Sequence, residues 1–126
     1  MSAPSTLHAK SSVEPLVVEL EDGTVFTRPD QRVLARALDL LTGEQNQFLA
    51  IGRFRTEPER YIQVYRHAAE GWQVEHREGS VDRHFQAVGH QSRSRTEELL
   101  WGWVTGEPGW QDAAAWTRLG PADLLP

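Results

Sequence analysis

The alternation of apolar and polar residues predicts most of the elements. Val17 to Leu20 reads as a strand, and Thr24 to Thr27 as its return. Asp22-Gly23 between them has the chemistry of a type I′ turn, since both central positions need a positive φ. A helix of about 13 residues follows, because Val33, Leu34, Ala37, Leu38 and Leu41 recur at helical spacing and make one stripe. Thr27 and Asp30 stand at capping-box spacing before it, and Gly43 is a natural stop after it. Arg32, Arg36 and Asp39 are left to face water.

The middle of the chain alternates with period two. Phe48 to Arg53 predicts a buried strand, and Arg60–Arg66, Trp72–Arg77 and Val81–Val88 predict three successive antiparallel strands. Gly79-Ser80 fits a two-residue type II′ hairpin loop. That turn would set Arg77 opposite Asp82, Glu75 opposite His84 and Val74 opposite Phe85. Trp72, Val74, Phe85 and Ala87 then form a core face. Gln73, Glu75, Arg77, Asp82, His84 and Gln86 form a polar one. With a five-residue loop over 67–71, Ile62 and Val64 join the core, while Tyr61, Gln63 and Tyr65 join the polar face.

A last helix is expected from about Ser94, which has capping-box spacing to Glu97. Leu99, Leu100, Trp103 and Val104 make its buried side, and Gly106, Pro108 and Gly109 end it. Trp110 to Leu119 suggests one more short helical turn, with Trp116 folding back on the sheet. The order β-β-α-β-β-β-β-α predicts an α+β domain over 13–119. Its antiparallel sheet carries helices on one face and leaves the other open. Residues 1–12 and 120–126 read as tails, the second containing Leu124-Leu125-Pro126.

Composition narrows the chemistry. The 126 residues include no Cys, which removes disulfide scaffolds, thiolate metal sites and cysteine catalysis. No apolar run approaches the roughly 20 residues that cross a bilayer. Met1 to Ser12 lacks a signal-peptide core, so a cytoplasmic location and no membrane partner are expected. Thirteen basic residues stand against eighteen acidic ones, a net charge of −5. Nucleic acid is therefore not the expected ligand, and a basic protein partner suits the charge better. Glu14, Glu19, Glu21 and Asp22 cluster without a basic neighbour and form one candidate edge for such a partner.

Catalytic signatures are weak. Ser80, Ser92 and Ser94 lack a nucleophile-elbow context and read as turn and cap residues. Gly102, Gly106 and Gly109 lie in and after a helix, not in a phosphate loop. Glu57/Glu59 and Glu97/Glu98 have no apolar setting to raise a carboxyl pKa. His76 and His84 should point to opposite faces, so at most His67, Glu75 and His84 could converge on a metal. A plain cross-strand pairing of Glu75 with His84, and of Arg77 with Asp82, accounts for the same residues. No cofactor is expected, and a small metal-binding enzyme is the third-ranked reading.

The aromatic residues point to binding. Trp101 and Trp103 lie about 200° apart on a helix, so the two cannot be buried in the same place. Trp101 is the one expected to stay partly exposed. Tyr61, Tyr65, Glu75, Arg77, Asp82, His84 and Trp101 are the candidate partner-binding residues, since exposed aromatic and charged groups make interface hot spots.

The segment Val74-Glu75-His76-Arg77-Glu78-Gly79, then His84-Phe85, Trp101-Gly102-Trp103 and a closing Trp116, is similar to small actinobacterial proteins allied to the immunity protein 1 family of bacterial polymorphic toxin systems. The resemblance spans roughly 15–119. It implies an α+β, non-enzymatic protein that neutralises a nuclease or deaminase toxin by docking on it. Binding residues in that family vary with the toxin, so none is transferred. The alternative expectation is a homodimeric interaction or regulatory module that pairs through the open sheet face.

Overall fold

A computed structural model describes residues 13–68 and 70–120. The two expected tails, except Gly120, lie outside them. The strands are β1 (Val17–Leu20), β2 (Val25–Thr27), β3 (Phe48–Gly52), β4 (Arg60–His67), β5 (Gly71–Glu78), β6 (His84–Ala87) and β7 (Trp116–Leu119). The helices are α1 (Gln31–Asp39) and α2 (Arg93–Thr105). All seven strands form one antiparallel sheet in the order β2-β1-β3-β4-β5-β6-β7. The fold is the expected α+β class with both helices on one face, and it gains a seventh strand.

That strand corrects the sequence reading of the C-terminal segment. Trp110–Ala113 does form a short 3₁₀ turn, but Trp116–Leu119 then pairs with β6, Ala87 facing Trp116 and His84 facing Leu119. Trp116 folds back on the sheet as expected, by becoming part of it.

One sheet face is apolar. Val18, Leu20, Leu49, Ile51, Ile62, Val64, Trp72, Val74 and Ala87 are buried there. Leu34, Ala37, Leu38 and Leu41 from α1 and its exit, and Leu99, Leu100 and Trp103 from α2, close over them. Alternation produces this directly, because every second side chain of a strand faces the same side.

Helix ends differ from expectation by a few residues, each for a local reason. Asp30 itself is the N-cap of α1, its carboxylate accepting the Val33 N–H at 2.8 Å, so no Thr27–Asp30 box forms. The helix is nine residues long. It stops early because Asn46 turns the chain, its side chain donating to the Leu40 carbonyl and its own carbonyl accepting from Thr42 N. The N-cap of α2 is Ser92, which accepts from Arg95 N at 3.1 Å, rather than Ser94. Glu97 does not reach back to Ser94, because Arg93 holds it at 2.6 Å.

Arg93 also ties the helices together. It bonds Asp39 at 2.9 Å and the Ala35 carbonyl at 2.9 Å, and its guanidinium lies over Trp72. Burial works against its charge, but the Asp39 and Glu97 carboxylates outweigh that and raise its pKa further.

The β5–β6 register is the main correction in the sheet. Arg77 faces His84, His76 faces Phe85 and Glu75 faces Gln86, a slip of two residues from the expected pairing. Residues Val81–Arg83 form a 3₁₀ turn, so the connection is longer than a two-residue hairpin. A slip of two preserves the faces. Trp72, Val74, Phe85 and Ala87 still face the helices, and Glu75, Arg77, His84 and Gln86 still face away. Only Asp82 is lost from the polar face. It sits exposed in the 3₁₀ turn, and its carbonyl accepts from Arg118.

Candidate docking surface on the open sheet face

Among the described residues no helix covers the second face. Its side chains fall in rows across the strands. One row runs Val17, Gly52, Tyr61, Arg77, His84 and Leu119. The next runs Glu19, Ala50, Gln63, Glu75, Gln86 and Thr117. A shorter third row holds Phe48, Tyr65 and Gln73.

Two charged or titratable groups of this face are buried although none of the described elements is layered over them. His84 is 1% exposed and Glu75 is 8% exposed. Their neighbours do the covering. Long side chains from the same and the adjacent strands supply their hydrogen bonds. Glu75 accepts from Gln73 Nε2 at 2.5 Å, from Gln63 Nε2 at 3.3 Å and from His84 Nε2 at 2.7 Å. Arg77 Nε donates to His84 Nδ1 at 3.1 Å, and its Nη1 donates to Glu59.

The chemistry of these partners fixes the tautomer of His84. Arg77 is an obligate donor, so Nδ1 of His84 is the acceptor. The ring proton is therefore on Nε2, aimed at the Glu75 carboxylate. No buried side-chain nitrogen or oxygen among the described residues lacks a partner, so the network is closed. A closed network of this kind is stiff, because Glu75, His84, Arg77 and Gln73 are each held by at least two partners.

The expected Glu75–His84 pair therefore exists, reached diagonally across the shifted register. The expected Arg77–Asp82 pair does not form; Arg77 takes Glu59 instead. The possible metal trio does not assemble either: His67 reaches Glu75 only through Gln73, and the described His/carboxylate group close enough to share an ion leaves out both Glu75 and His84. His76 lies on the other face as expected, packed against Phe85, Trp110 and Trp116, with Nδ1 2.7 Å from Glu78.

Aromatic rings surround the polar centre. Arg77 lies over the Tyr61 ring at 5.5 Å, and Tyr61 meets His84 edge-on at 6.0 Å. Burial holds the Tyr61 hydroxyl above its usual pKa; Arg77 works against this, and Glu59 and Glu75 add to it. Tyr65 is exposed and packs on Phe48 at 5.1 Å and on His67 at 6.4 Å. Phe54 lies against Gly52, where a Cβ would come within 3.1 Å of its ring. Sequence alternation missed Phe54, since it follows the strand rather than lying in it.

The acidic edge is largely occupied by the fold. Glu14 accepts from the Thr56 hydroxyl and from the backbone of Thr56 and Arg55, which lowers its pKa, the Thr56 hydroxyl leading. Glu21 accepts from Gln47 N. Asp22 accepts from Thr24 N, chiefly for which reason its pKa falls, and it also exchanges bonds with Asn46. Glu19 alone of the four projects, exposed, from the open face beside Ala50 and Gln63.

Trp101 is half-buried, as expected, but belongs to the helix layer. It lines a cleft of about 670 Å³ with Trp110, Leu34, Glu97, Glu98 and Glu107. It is not part of the surface that carries Tyr61 and Tyr65. No helix among the described residues is long and apolar enough to cross a membrane.

The geometry defines a two-layer α+β domain with one braced, aromatic-rimmed sheet face that no helix covers among the described residues. No family model, curated protein sequence or solved structure matches the chain.

Proposed function

We propose that the protein is a non-enzymatic binding protein, an immunity-type inhibitor that neutralises a basic toxin domain by docking its open sheet face upon it. The observation that carries this reading is the pre-organised face itself. Its central charges are locked by Glu75, His84 and Arg77, while Tyr61, Tyr65 and Phe54 rim them. Rigid aromatic anchors around a braced polar centre lose little entropy on binding. The net charge of −5 favours a cationic partner and speeds encounter with it. The resemblance of 15–119 to the immunity protein 1 family supports the same function. The protein acts at the surface of its target, with Tyr65 entering the interface and Arg77 and Glu19 setting orientation.

The test is co-purification of the tagged chain with a toxin domain from the native strain, followed by neutralisation of that toxin in a growth assay. Tyr65→Ala is expected to weaken binding by about 1–2 kcal/mol, as for a moderate hot spot. Undiminished affinity in a Tyr65→Ala, Arg77→Ala double variant overturns this surface. A concentration-dependent dimer that Tyr65→Ala dissolves assigns the face to a second copy of the chain instead.

A further inference from the structure

The β4–β5 turn and the loop after β6 meet at the end of the open face. His67 closes β4, Glu70 sits in the turn, and His90 lies in the loop that leads to α2. One potential ligand atom from each falls within 4.8 Å of the other two. His90 Nε2 and a Glu70 carboxylate oxygen are 3.7 Å apart, and the two imidazole rings meet edge-on at 5.0 Å. Ligand atoms around a tetrahedral zinc lie roughly 3.3 Å from one another, given bonds near 2.0–2.1 Å. Small side-chain rotations close the difference.

The backbone beneath the three residues is tied down. Trp72 and Gln91 exchange two hydrogen bonds, 3.2 and 2.7 Å, which pin the loop to the start of β5. Glu70 N donates to the His67 carbonyl at 3.0 Å and closes the turn. Gly71 has φ +106°, and a Cβ there would press on the Gln91 carbonyl at 3.1 Å and meet His90 Cβ at 3.4 Å. The glycine thus lets the His90 loop lie directly against the turn.

The open-face network also selects the tautomer of the neutral His67 ring. Glu75 accepts from the Gln73 amide nitrogen, which leaves the Gln73 amide oxygen facing His67 Nε2 at 2.9 Å. An amide oxygen only accepts, so Nε2 bears the proton and the lone pair of His67 is on Nδ1. Metal-ligating imidazoles are oriented and made more basic by a hydrogen-bond partner on the nitrogen that does not bind the metal, the role open to Gln73 when Nδ1 is the ligand.

We infer that His67, Glu70 and His90 form a binding site for a borderline divalent transition metal of the zinc class, with Gln73 as the positioning residue for His67. Two imidazoles and one carboxylate suit Zn²⁺ rather than Ca²⁺ or Mg²⁺, which prefer all-oxygen shells. Three protein ligands leave a fourth position for water or for a group from a docked partner. This site is separate from the toxin-binding reading and stands or falls without it.

Calorimetric titration of the full chain with ZnCl₂ tests it. One saturable site per chain is expected, with no competition from CaCl₂ or MgCl₂. His90→Ala and Glu70→Gln, both at exposed positions, are expected to keep the far-ultraviolet dichroism of the wild type. His90→Ala should weaken Zn²⁺ binding by more than about 10-fold, and Gln73→Ala by about 10-fold. His8→Ala, at a histidine that precedes the described residues and is not one of the three ligands, should leave it unchanged. Nitrogen NMR of the metal-free chain should show His67 protonated on Nε2. Absence of a saturable site, unchanged affinity in His90→Ala, or loss of binding in His8→Ala overturns the inference.

Discussion

Glu78 shows how one carboxylate holds a junction. It lies where β5 meets the helix layer, accepting from His76 Nδ1 at 2.7 Å and from Trp103 Nε1 at 3.2 Å, with Arg60 at 3.5 Å. Burial on its own would raise its pKa. The His76 hydrogen bond and charge, then Trp103 and Arg60, outweigh burial and hold it below the ordinary carboxylate value. A lowered folded-state pKa means that the ionised form stabilises the fold. That stabilisation is complete above the unfolded value of about 4.3 and is lost as pH falls through the lowered one. Glu78→Gln is expected to cost about 1.5–3 kcal/mol near neutral pH, the range for hydrogen bonds to a charged group. Urea denaturation as a function of pH should show the gap between variant and wild type closing as the medium becomes more acidic than about pH 4.

The contact between α2 and the segment after it rests on an absent side chain. A Cβ at Gly102 would lie 2.6 Å from Trp110 Cβ, closer than atoms pack. In an open helix, Gly→Ala gains about 1 kcal/mol from propensity. Here the added methyl must displace Trp110, and overpacking of this kind costs about 1–3 kcal/mol. Gly102→Ala is therefore expected to lower stability in urea unfolding and to change the near-ultraviolet dichroism of the tryptophans. Element by element, the sequence spoke most clearly about which side chains share a face, because period two survives an even slip of register. It said less about register, since nothing in Gly79-Ser80 reveals that Val81–Arg83 will coil into the turn. β7 was hidden because the alanines before Trp116 read as helical and the strand is only four residues long. Tyr61, Tyr65, Glu75, Arg77 and His84 were legible as one face. Phe54, Glu70 and His90 were not, because the backbone brings each of them in from outside a regular strand.

The molecule as a whole is two-sided. One side of the sheet buries its apolar residues under two helices, and the other buries charge with no second layer among the described residues. The latter is possible because strands β3 to β6 supply small residues at Ala50 and Gly52 and long amides at Gln63, Gln73 and Gln86. The strand order also gives the chain an unusual mechanical layout. The row Val17, Gly52, Tyr61, Arg77, His84 and Leu119 joins the first residue of β1 to the last of β7, five strand spacings or about 24 Å away. Tension between those two residues runs along the row, perpendicular to the strands. Each ladder would then open like a zip, one rung at a time, rather than resist in shear with all its rungs together. Held between residues 17 and 119 in an optical trap, the domain should yield at lower force than when pulled along a single β4–β5 hairpin from opposite strand ends.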